Sequence, residues 1–454
     1  MLLKQTIKGN MKKEKLVYVI SLGCSKNFVD TEIMAASLVT HNIGITSEIR
    51  DADICLINTC AFIQSARDET VEVIEDTILW KNKKKRRKII VSGCITQWDK
   101  DGEFRKKYDK VDLWMGVDDS EKIYDKIATI AKQGEKVVLR DKPTYLYDEK
   151  TPRLQLTLPH FSYVKIADGC DNNCSYCSIP NIRGKFRSRT ISSVRKESQN
   201  LLNNGVKELL FIAQDVTSYG KDREKENIVE LLKEIDTLEG DFWIRLMYAH
   251  PAYFTDELIE LMKNSKHILP YIDIPFQHIS DNILKSMNRK VSKKESVDLI
   301  KKLKKAIPEI TFRTTFLVGY PGETEKDFQE LYDFVKEIKF DRLGVFPYSL
   351  EPNTKAYSME NQVSADIANE RADKLMQLQS EIALENNKKL IEKEFTVIID
   401  SFDGDEAISR SYQDAPEIDN LIVFDAPAHL DIGDFAKVKV VDCSEYDLVA
   451  EFIG

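Results

Sequence analysis

The sequence predicts an α/β protein in three parts: an N-terminal doubly wound parallel sheet, a central partial (β/α)6 barrel and a small C-terminal antiparallel β-barrel. Continuous apolar strand patterns alternate with helical patterns over residues 16–346, as in parallel sheets that helices cover on both faces. Five short strand patterns then follow one another in residues 395–452. A chain of 454 residues also exceeds one ordinary domain. We expect domains at residues 12–135, 156–388 and 391–454.

Three strand patterns in the N-terminal part each lead into a cysteine, and helical patterns over 29–40 and 63–80 separate them. In a parallel doubly wound sheet, ligands bind at the carboxyl ends of the strands. The three thiols are therefore expected to converge there as one site. Alternatively, each is a small buried hydrophobe, as we expect for Cys55 in the middle of its strand. The runs and their cysteines are 16–20 with Cys24, 54–57 with Cys60, and 89–91 with Cys94.

Six further strand patterns and their helices predict the central domain. Six β/α units are fewer than the eight that close a barrel, so we expect an open side that admits a macromolecular substrate. Thr324 with Asp327 three residues later resembles a capping box at the start of a helix. The strands are expected at 163–167, 208–213, 243–247, 271–274, 311–318 and 342–346, and helices at 227–238, 292–306 and 325–338.

Three cysteines with C-x3-C-x2-C spacing follow the first central strand directly. They are Cys170, Cys174 and Cys177, and no fourth cysteine or histidine lies nearby in the sequence. Structural zinc sites usually present two C-x-x-C pairs, whereas three thiolates on a cubane iron–sulfur cluster leave one iron open to a cofactor or substrate. Gly169 suits a tight loop around such a cluster. The alternatives are a zinc knuckle that lacks one ligand and three thiols that cluster by chance.

The composition and the cysteine pattern argue against a membrane-spanning protein and against a protein stabilised by disulfides. Hydrophobic residues make up 42% of the chain and charged residues 31%, and no apolar run reaches the length of a signal peptide or of a membrane span. Six of the eight cysteines lie in motif settings, which favours thiolate ligands in a reducing cytoplasm over disulfides. We therefore expect a cytoplasmic protein.

The C-terminal part is strongly acidic. A helical pattern over 364–393 leads into strands expected at 395–399, 407–410, 421–424, 435–441 and 448–452, the pattern of a small antiparallel barrel. Residues 394–454 contain 15 Asp or Glu and 3 Lys or Arg, a net charge of −12, against −9 for the whole chain. Such a domain would repel a phosphate backbone and attract a basic protein. Cys443 is expected to be structural.

These motifs resemble those of a known enzyme family. The C-x3-C-x2-C loop resembles the signature of radical S-adenosylmethionine (SAM) enzymes. The stretches 21–27 (SLGCSKN), 58–60 (NTC) and 92–94 (SGC) resemble the N-terminal domain of the methylthiotransferases within that class, and the match runs from about residue 15 to the end of the chain. By its position, the C-terminal barrel resembles the TRAM domain, a substrate-binding module.

The resemblance implies two [4Fe–4S] clusters and two molecules of SAM per turnover. The radical SAM cluster would be held by Cys170, Cys174 and Cys177, and the second cluster by Cys24, Cys60 and Cys94. No catalytic residue is assigned beyond these ligands.

The sequence indicates the residues that would contact SAM less clearly than it indicates the cluster ligands. Tyr176 beside the first triad is implied as an adenine neighbour, and Gln214 and Arg245 lie at or near strand ends, where the nucleoside and carboxylate of SAM would sit. An ordinary loop or salt-bridging role stays open for each of these residues. His278 is either a general base or, more commonly for a single histidine, a hydrogen-bonded structural residue.

Two branches of the family act on different substrates. One (RimO) methylthiolates the β-carbon of an aspartate in a basic small-subunit ribosomal protein, number twelve. The other (MiaB-like) modifies C2 of N6-isopentenyladenosine in transfer RNA. The acidic tail and the motifs 212–215 (IAQD) and 187–189 (RSR) favour the first branch, whereas Ser25 stands where proline is common in it.

The first branch implies further partners. They are the ribosomal protein itself, free or within the ribosome, an electron donor such as flavodoxin or ferredoxin, and a sulfur donor, with no membrane. A more distant alternative is a non-enzymatic metal-binding redox module.

Overall fold

The computed structural model describes residues 15–127, 137–138 and 142–454, so both ends of the predicted domain 12–135 lie outside the described residues. The chain divides into two compact units, residues 1–145 with 150–154, and residues 146–149 with 155–454. The exact boundaries of the three predicted domains stay a prediction. Among the described residues, no helix is both long and apolar enough to cross a membrane.

The first unit contains a six-stranded, wholly parallel sheet in the order β2-β1-β3-β4-β5-β6, which confirms the predicted N-terminal sheet. Strand β3 is buried along its whole length, as its apolar sequence requires. The strands are β1 Leu16–Ser21, β2 Gly44–Ile45, β3 Ile54–Thr59, β4 Lys88–Gly93, β5 Leu113–Met115 and β6 Val137–Val138, and the helices are α1 Ser25–Thr40, α2 Gln64–Asn82, α3 Cys94–Trp98 and α4 Glu103–Lys107.

The second unit begins with the predicted partial barrel. Six of its strands form two parallel three-stranded sheets in the orders β11-β10-β7 and β12-β13-β14, which a bridge between Ile244 and Ile268 connects. Strands β7 and β14 end their sheets, so the barrel is open between them. The capping box of Thr324 and Asp327 is present.

The elements of this barrel follow the chain in order. The strands are β7 Phe161–Lys165, β8 Ala167–Asp168, β9 Arg187–Ser188, β10 Glu208–Ile212, β11 Trp243–Leu246, β12 Tyr271–Asp273, β13 Thr311–Val318 and β14 Arg342–Pro347. The helices are α5 Ile179–Arg183, α6 Ile191–Asn203, α7 Ile228–Asp236, α8 Asp256–Asn264, α9 Asp281–Ser286, α10 Lys293–Ala306, α11 Glu325–Ile338 and α12 Ala365–Lys388.

The chain ends in a closed five-stranded barrel in the order β15-β16-β17-β19-β18, as predicted. Its strands are β15 Glu394–Asp403, β16 Glu406–Ser411, β17 Ile422–Asp425, β18 Phe435–Cys443 and β19 Leu448–Phe452. Alternate side chains of these strands form one apolar core, against which Leu390 and Ile391 of the loop after α12 pack.

This terminal barrel packs against the amino-terminal ends of the central strands through buried charges. Arg410 donates to Glu208, the first residue of β10, at 2.8 Å. Asp414 accepts from Arg342, the first residue of β14, at 3.0 Å, and Asp419 accepts from Tyr271, the first residue of β12, at 2.7 Å. Part of the acidic charge of the tail is therefore neutralised within the molecule.

Candidate functional site

The loop with the first cysteine triad leaves the carboxyl end of the central strands, where catalytic residues of β/α barrels lie. Gly169 precedes the first cysteine with φ of +80°, and a Cβ atom there would lie 2.1 Å from the carbonyl oxygen of Lys185. Only glycine fits this position. The loop begins at Asp168, which accepts hydrogen bonds from its own neighbour Gly169 N–H at 2.9 Å and from Gln214 at 2.8 Å.

Asp168 is a buried anion that fixes the start of this loop. Burial opposes its ionisation, but the ammonium of Lys165 at 3.3 Å and the guanidinium of Arg183 at 3.2 Å hold the pKa of its carboxyl well below the usual range. Asp168 is therefore charged, and it ties β7, the cysteine loop and helix α5 together.

Each sulfur of the first triad has an N–H donor. The backbone N–H groups of Asn172 and Ile179 donate to Cys170 and Cys177. The third sulfur, on Cys174, accepts from Arg289 at 3.6 Å. Such donors are typical of metal-bound thiolates in iron–sulfur proteins, so the residues present fit the predicted cluster.

Without a metal ion the thiols of Cys170 and Cys177 are held neutral. Burial, and then the neighbouring carboxylate and thiol charges, raise the pKa of Cys170 to about 11, although the hydrogen bond from Asn172 opposes the shift. Binding of a metal centre to this triad would therefore release protons.

A polar network that the sequence analysis missed holds the middle of the loop. Asn172 donates to Asp215 at 2.8 Å and accepts from the hydroxyl of Tyr253 at 2.9 Å. Asp215 also accepts from Thr217 and Ser218, each at 2.6 Å. Asp215 belongs to the stretch 212–215 that the sequence analysis singled out, but nothing in the sequence connects it with Asn172.

Two of the three residues predicted to contact SAM lie close to this loop. The ring of Tyr176 packs against the cluster of apolar residues that contains Ile283 and Met287. Gln214 lies two residues after the end of β10, and its side-chain oxygen is buried without a hydrogen-bond partner among the described residues. A buried acceptor without a donor is costly, and the ammonium or hydroxyl groups of a nucleoside cofactor would supply one.

The third predicted SAM contact, Arg245, has other partners. Its fully buried guanidinium donates to Glu208 at 2.7 Å and to the carbonyl oxygen of Tyr412 in the terminal barrel at 2.8 Å. It also lies over the ring of Tyr271, at the amino-terminal end of β12. These contacts match the salt-bridging alternative, because they lie at the end of the barrel opposite the cysteine loop.

The contacts of His278 match its structural alternative. The side chain is fully buried, and its Nδ1 accepts from the N–H of Ser280 at 3.0 Å. Burial lowers its pKa to about 3, so it is neutral at pH 7.

The second triad lies in the first unit, after three strands that are neighbours in the sheet. Cys24 is the N-cap of α1, whose first turn has no acidic residue, so the positive end of the helix dipole is next to its sulfur. Cys60 follows β3, and Cys94 begins α3 directly after β4. A Cβ atom on Gly23, whose φ is +87°, would lie 2.7 Å from the Cβ of Cys60. The loops are therefore closely packed.

The sulfur of Cys60 interacts electrostatically with the other two cysteines of the triad. Burial first, and then the charges of Cys94 and Cys24, raise its pKa to about 12, while the backbone N–H groups of Phe62 and Ala61 donate to it. As in the first triad, thiols that interact electrostatically and N–H donors at sulfur suit a bound cluster.

Two asparagines connect the loops of the second triad. The side chain of Asn27 donates to the carbonyl oxygens of Thr59 at 2.8 Å and Leu22 at 3.2 Å, and its oxygen lies 3.5 Å from the sulfur of Cys94. Asn58 donates to the carbonyl oxygen of Asn27 at 2.7 Å. In the sequence, both residues are recognisable only as parts of the motifs 21–27 and 58–60.

Neither triad has the geometry of a single-ion site. Among the described residues, no group of three or more His, Cys, Asp or Glu side chains is placed to hold one metal ion. Tetrahedral zinc needs all its sulfur ligands about 2.3 Å from one point, whereas in a cubane each cysteine binds a different iron.

Comparisons with known proteins agree on all three parts of the chain. Residues 164–335 match the Radical SAM superfamily, residues 16–116 match Uncharacterized protein family UPF0004, and residues 391–453 match the TRAM domain. The chain is 42% identical over 441 residues to "Ribosomal protein uS12 methylthiotransferase RimO" of Desulfitobacterium hafniense, covering 97% of this chain and 99% of the relative. It is 44% identical over 437 residues to the protein of the same name from Caldanaerobacter subterraneus, covering 96% and 99%.

A solved structure with low sequence identity has a related fold. The radical SAM methyltransferase TsrM from Kitasatospora setae superposes with a TM-score of 0.56 at 12% identity, over 81% of this chain and 89% of that one. At this identity the likeness concerns the fold alone.

Proposed function

The chain belongs to the RimO family of ribosomal protein uS12 methylthiotransferases, and we propose that its two cysteine triads each hold a [4Fe–4S] cluster for that reaction. Family membership makes it a radical SAM transferase that uses a [4Fe–4S] cluster and SAM. The observation that carries the two-cluster proposal is the second triad: Cys60 interacts with Cys24 and Cys94 and has backbone N–H donors at its sulfur.

In this proposal Cys170, Cys174 and Cys177 are the ligands of the radical SAM cluster, and Cys24, Cys60 and Cys94 are those of the second cluster. When bound, the first cluster supplies the electron that cleaves SAM to an adenosyl radical, and the second supplies the sulfur of the methylthio group. The side-chain oxygen of Gln214 accepts a hydrogen bond from SAM, and Tyr176 flanks its adenine. Arg245 has no part in SAM binding.

The proposed target is the β-carbon of an aspartate in protein uS12. Hydrogen removal from such a carbon is beyond acid–base chemistry at neutral pH, so a radical cofactor is needed. The reaction also needs a one-electron donor such as flavodoxin or ferredoxin, and a source of sulfur outside the chain.

The acidic surface of the terminal barrel supports a basic protein substrate. Besides the carboxylates that pair with the core, Asp403, Asp405, Glu406 and Asp425 are exposed at one end of this barrel. Glu406 lies opposite Asp403 on one neighbouring strand and opposite Asp425 on the other. A concentration of negative charge on the surface attracts a basic polypeptide and repels RNA phosphates.

Iron content and product analysis test the proposal. The anaerobically loaded chain should hold about eight iron atoms, and Cys170→Ala or Cys60→Ala should each hold about four. Cys170→Ala should form no deoxyadenosine, whereas Cys60→Ala should still cleave SAM and yield no methylthiolated uS12. Cys55→Ala is the matched control, because Cys55 is buried in β3 near Cys60 and should leave both clusters intact.

Two outcomes would contradict the proposal. About four iron atoms in the fully loaded wild-type chain would overturn the second cluster. An unchanged mass of uS12 after reaction with the loaded enzyme would overturn the substrate, and modification of transfer RNA would then be tested in its place.

A further inference from the structure

The guanidinium of Arg289 lies against one sulfur of the first triad. It donates to the sulfur of Cys174 at 3.6 Å and to the carbonyl oxygen of Pro275 at 2.8 Å. Its Nε is buried and has no hydrogen-bond partner in the described part of the chain. Among the same residues, no carboxylate lies within ion-pair distance of Arg289, so this half-buried cation faces a thiol and not an acid.

The segment that carries Arg289 is fixed to the cysteine loop. The N–H of Ser175 donates to the carbonyl oxygen of Met287 at 3.0 Å, and the hydroxyl of Ser175 donates to the carbonyl oxygen of Ser286 at 2.8 Å. The side chain of Asn288 donates to the carbonyl oxygen of Asn173 at 2.9 Å. These bonds fix the backbone of this segment to the cysteine loop, and the bond to Pro275 holds the guanidinium itself beside Cys174.

A half-buried guanidinium whose buried Nε has no partner, and which has no carboxylate beside it, is unfavourably placed in the metal-free protein. The surroundings become favourable when Cys174 is a metal-bound thiolate, because the sulfur then carries negative charge and accepts a charge-assisted hydrogen bond. Hydrogen bonds to the sulfurs and nearby charge are among the factors that set the potential of an iron–sulfur cluster. An arginine stays charged at every working pH.

We propose that Arg289 raises the reduction potential of the cluster held by Cys170, Cys174 and Cys177, and so helps it accept the electron on which SAM cleavage depends. This rests on the proposed function in one respect, the assignment of the first cluster. The step adds one electron, from a flavodoxin or ferredoxin in the cell or from dithionite in a titration, and no proton. The reduced cluster carries one more negative charge than the oxidised one, and a positive charge fixed at its ligand stabilises that form.

The proposal is tested by measuring the reduction potential of the first cluster in the full chain without SAM. Cys24, Cys60 and Cys94 are replaced by alanine so that only the first cluster contributes, and the cluster is titrated with dithionite and followed by its electron paramagnetic resonance signal. In Arg289→Gln, the ratio of reduced to oxidised cluster at a fixed potential should fall about tenfold, which is about 59 mV for a one-electron couple. Arg289→Lys should recover most of this loss.

Lys290→Gln is the matched control. It removes the same charge one residue later, but Lys290 is exposed, and water and salt screen its field. We expect less than about a twofold change in the same ratio.

The possible outcomes separate a role for the Arg289 charge from a failure of the cluster assignment. An Arg289→Gln protein with normal iron content and an unchanged potential would overturn the proposal and leave the first cluster in place. If Arg289→Gln binds no iron, Arg289→Lys decides: a potential equal to that of the parent supports a role for charge, and a tenfold loss in that loaded variant overturns it. If the parent without the second triad binds no iron, the cluster assignment fails instead.

Discussion

At the scale of single residues, Asn27 has more effect on the second triad than its neutral side chain suggests. It bonds to the carbonyl oxygens that precede Gly23 and Cys60 and lies beside the sulfur of Cys94. One amide thereby fixes three loops that come from three different strands. The cysteines provide the ligands, but their relative positions depend on this side chain.

We therefore expect Asn27→Ala to lose the second cluster and keep the first. The change removes a donor from the buried carbonyl oxygen of Thr59 and from the half-buried one of Leu22, which costs about 1–3 kcal/mol per unsatisfied buried group, and it frees the loops to separate. Iron per loaded chain should fall from about eight to about four, with SAM cleavage retained. Asn82→Ala is the control, since Asn82 is exposed at the end of α2 in the same unit. A full iron content in Asn27→Ala would show that the loops keep their positions without it.

At the scale of elements, both triads place a left-handed glycine directly before a cysteine where a strand ends: Gly169 in the first triad, and Gly23 and Gly93 in the second. Gly93 ends β4 with φ of +96°, and a Cβ atom there would lie 2.3 Å from the side-chain oxygen of Asn58. The glycine allows the chain to turn sharply from the strand into α3, which places Cys94 at the carboxyl edge of the sheet.

Gly93→Ala should therefore remove the second cluster as Asn27→Ala does. Its methyl group collides with Asn58 and with the backbone of Thr59, in addition to the strain of a left-handed residue. Gly205→Ala separates the two effects, because Gly205 has φ of +93° and no heavy atom within 4 Å of its Cβ position. That variant should lose only about 1–2 kcal/mol of stability and bind iron normally. Iron analysis and thermal unfolding of both proteins provide the measurement, and normal iron in Gly93→Ala would contradict the role of this close packing.

The elements that could be predicted from the sequence are those with long apolar patterns. The bounds of β13, α11 and β19 agree with the prediction to the residue. Strands β2, β5 and β6 have two or three residues each, too few to show a period. The six cysteines could be identified because spacing and strand context are local, whereas Arg289 and Asn172 could not, since their partners lie far away in the chain. Arg245 shows a further limit, because a strand pattern does not tell towards which end of a barrel a long side chain reaches.

At the scale of the whole molecule, the acidic charge of the tail serves two purposes that a count along the sequence cannot separate. Asp414 and Asp419 pair with arginines of the central strands, and Asp400, which pairs with Arg410 of its own barrel, also contacts Nε2 of His160 just before β7. These three carboxylates attach the terminal barrel to the core. Such pairs are protected from solvent and respond weakly to salt. The carboxylates that remain exposed are the ones available to a partner, and their effects should depend on salt.

The exposed carboxylates Asp403, Glu406 and Asp425 provide the test of substrate recognition. They face one another across neighbouring strands, and like charges in that arrangement are unfavourable for folding, so a basic partner would relieve the repulsion. Replacing all three by Asn, Gln and Asn should weaken binding of uS12 roughly tenfold, as expected for the loss of several solvent-exposed ion pairs. The dependence of binding on salt should become less steep. Folding stability should stay the same or rise, and SAM cleavage without substrate should not change.

The control replaces Asp442, Glu445 and Asp447, three exposed carboxylates in and after β18, by their amides. If both triple variants weaken binding equally, net charge attracts the substrate and no particular face of the barrel does so; if neither does, the terminal barrel does not recognise uS12 by charge.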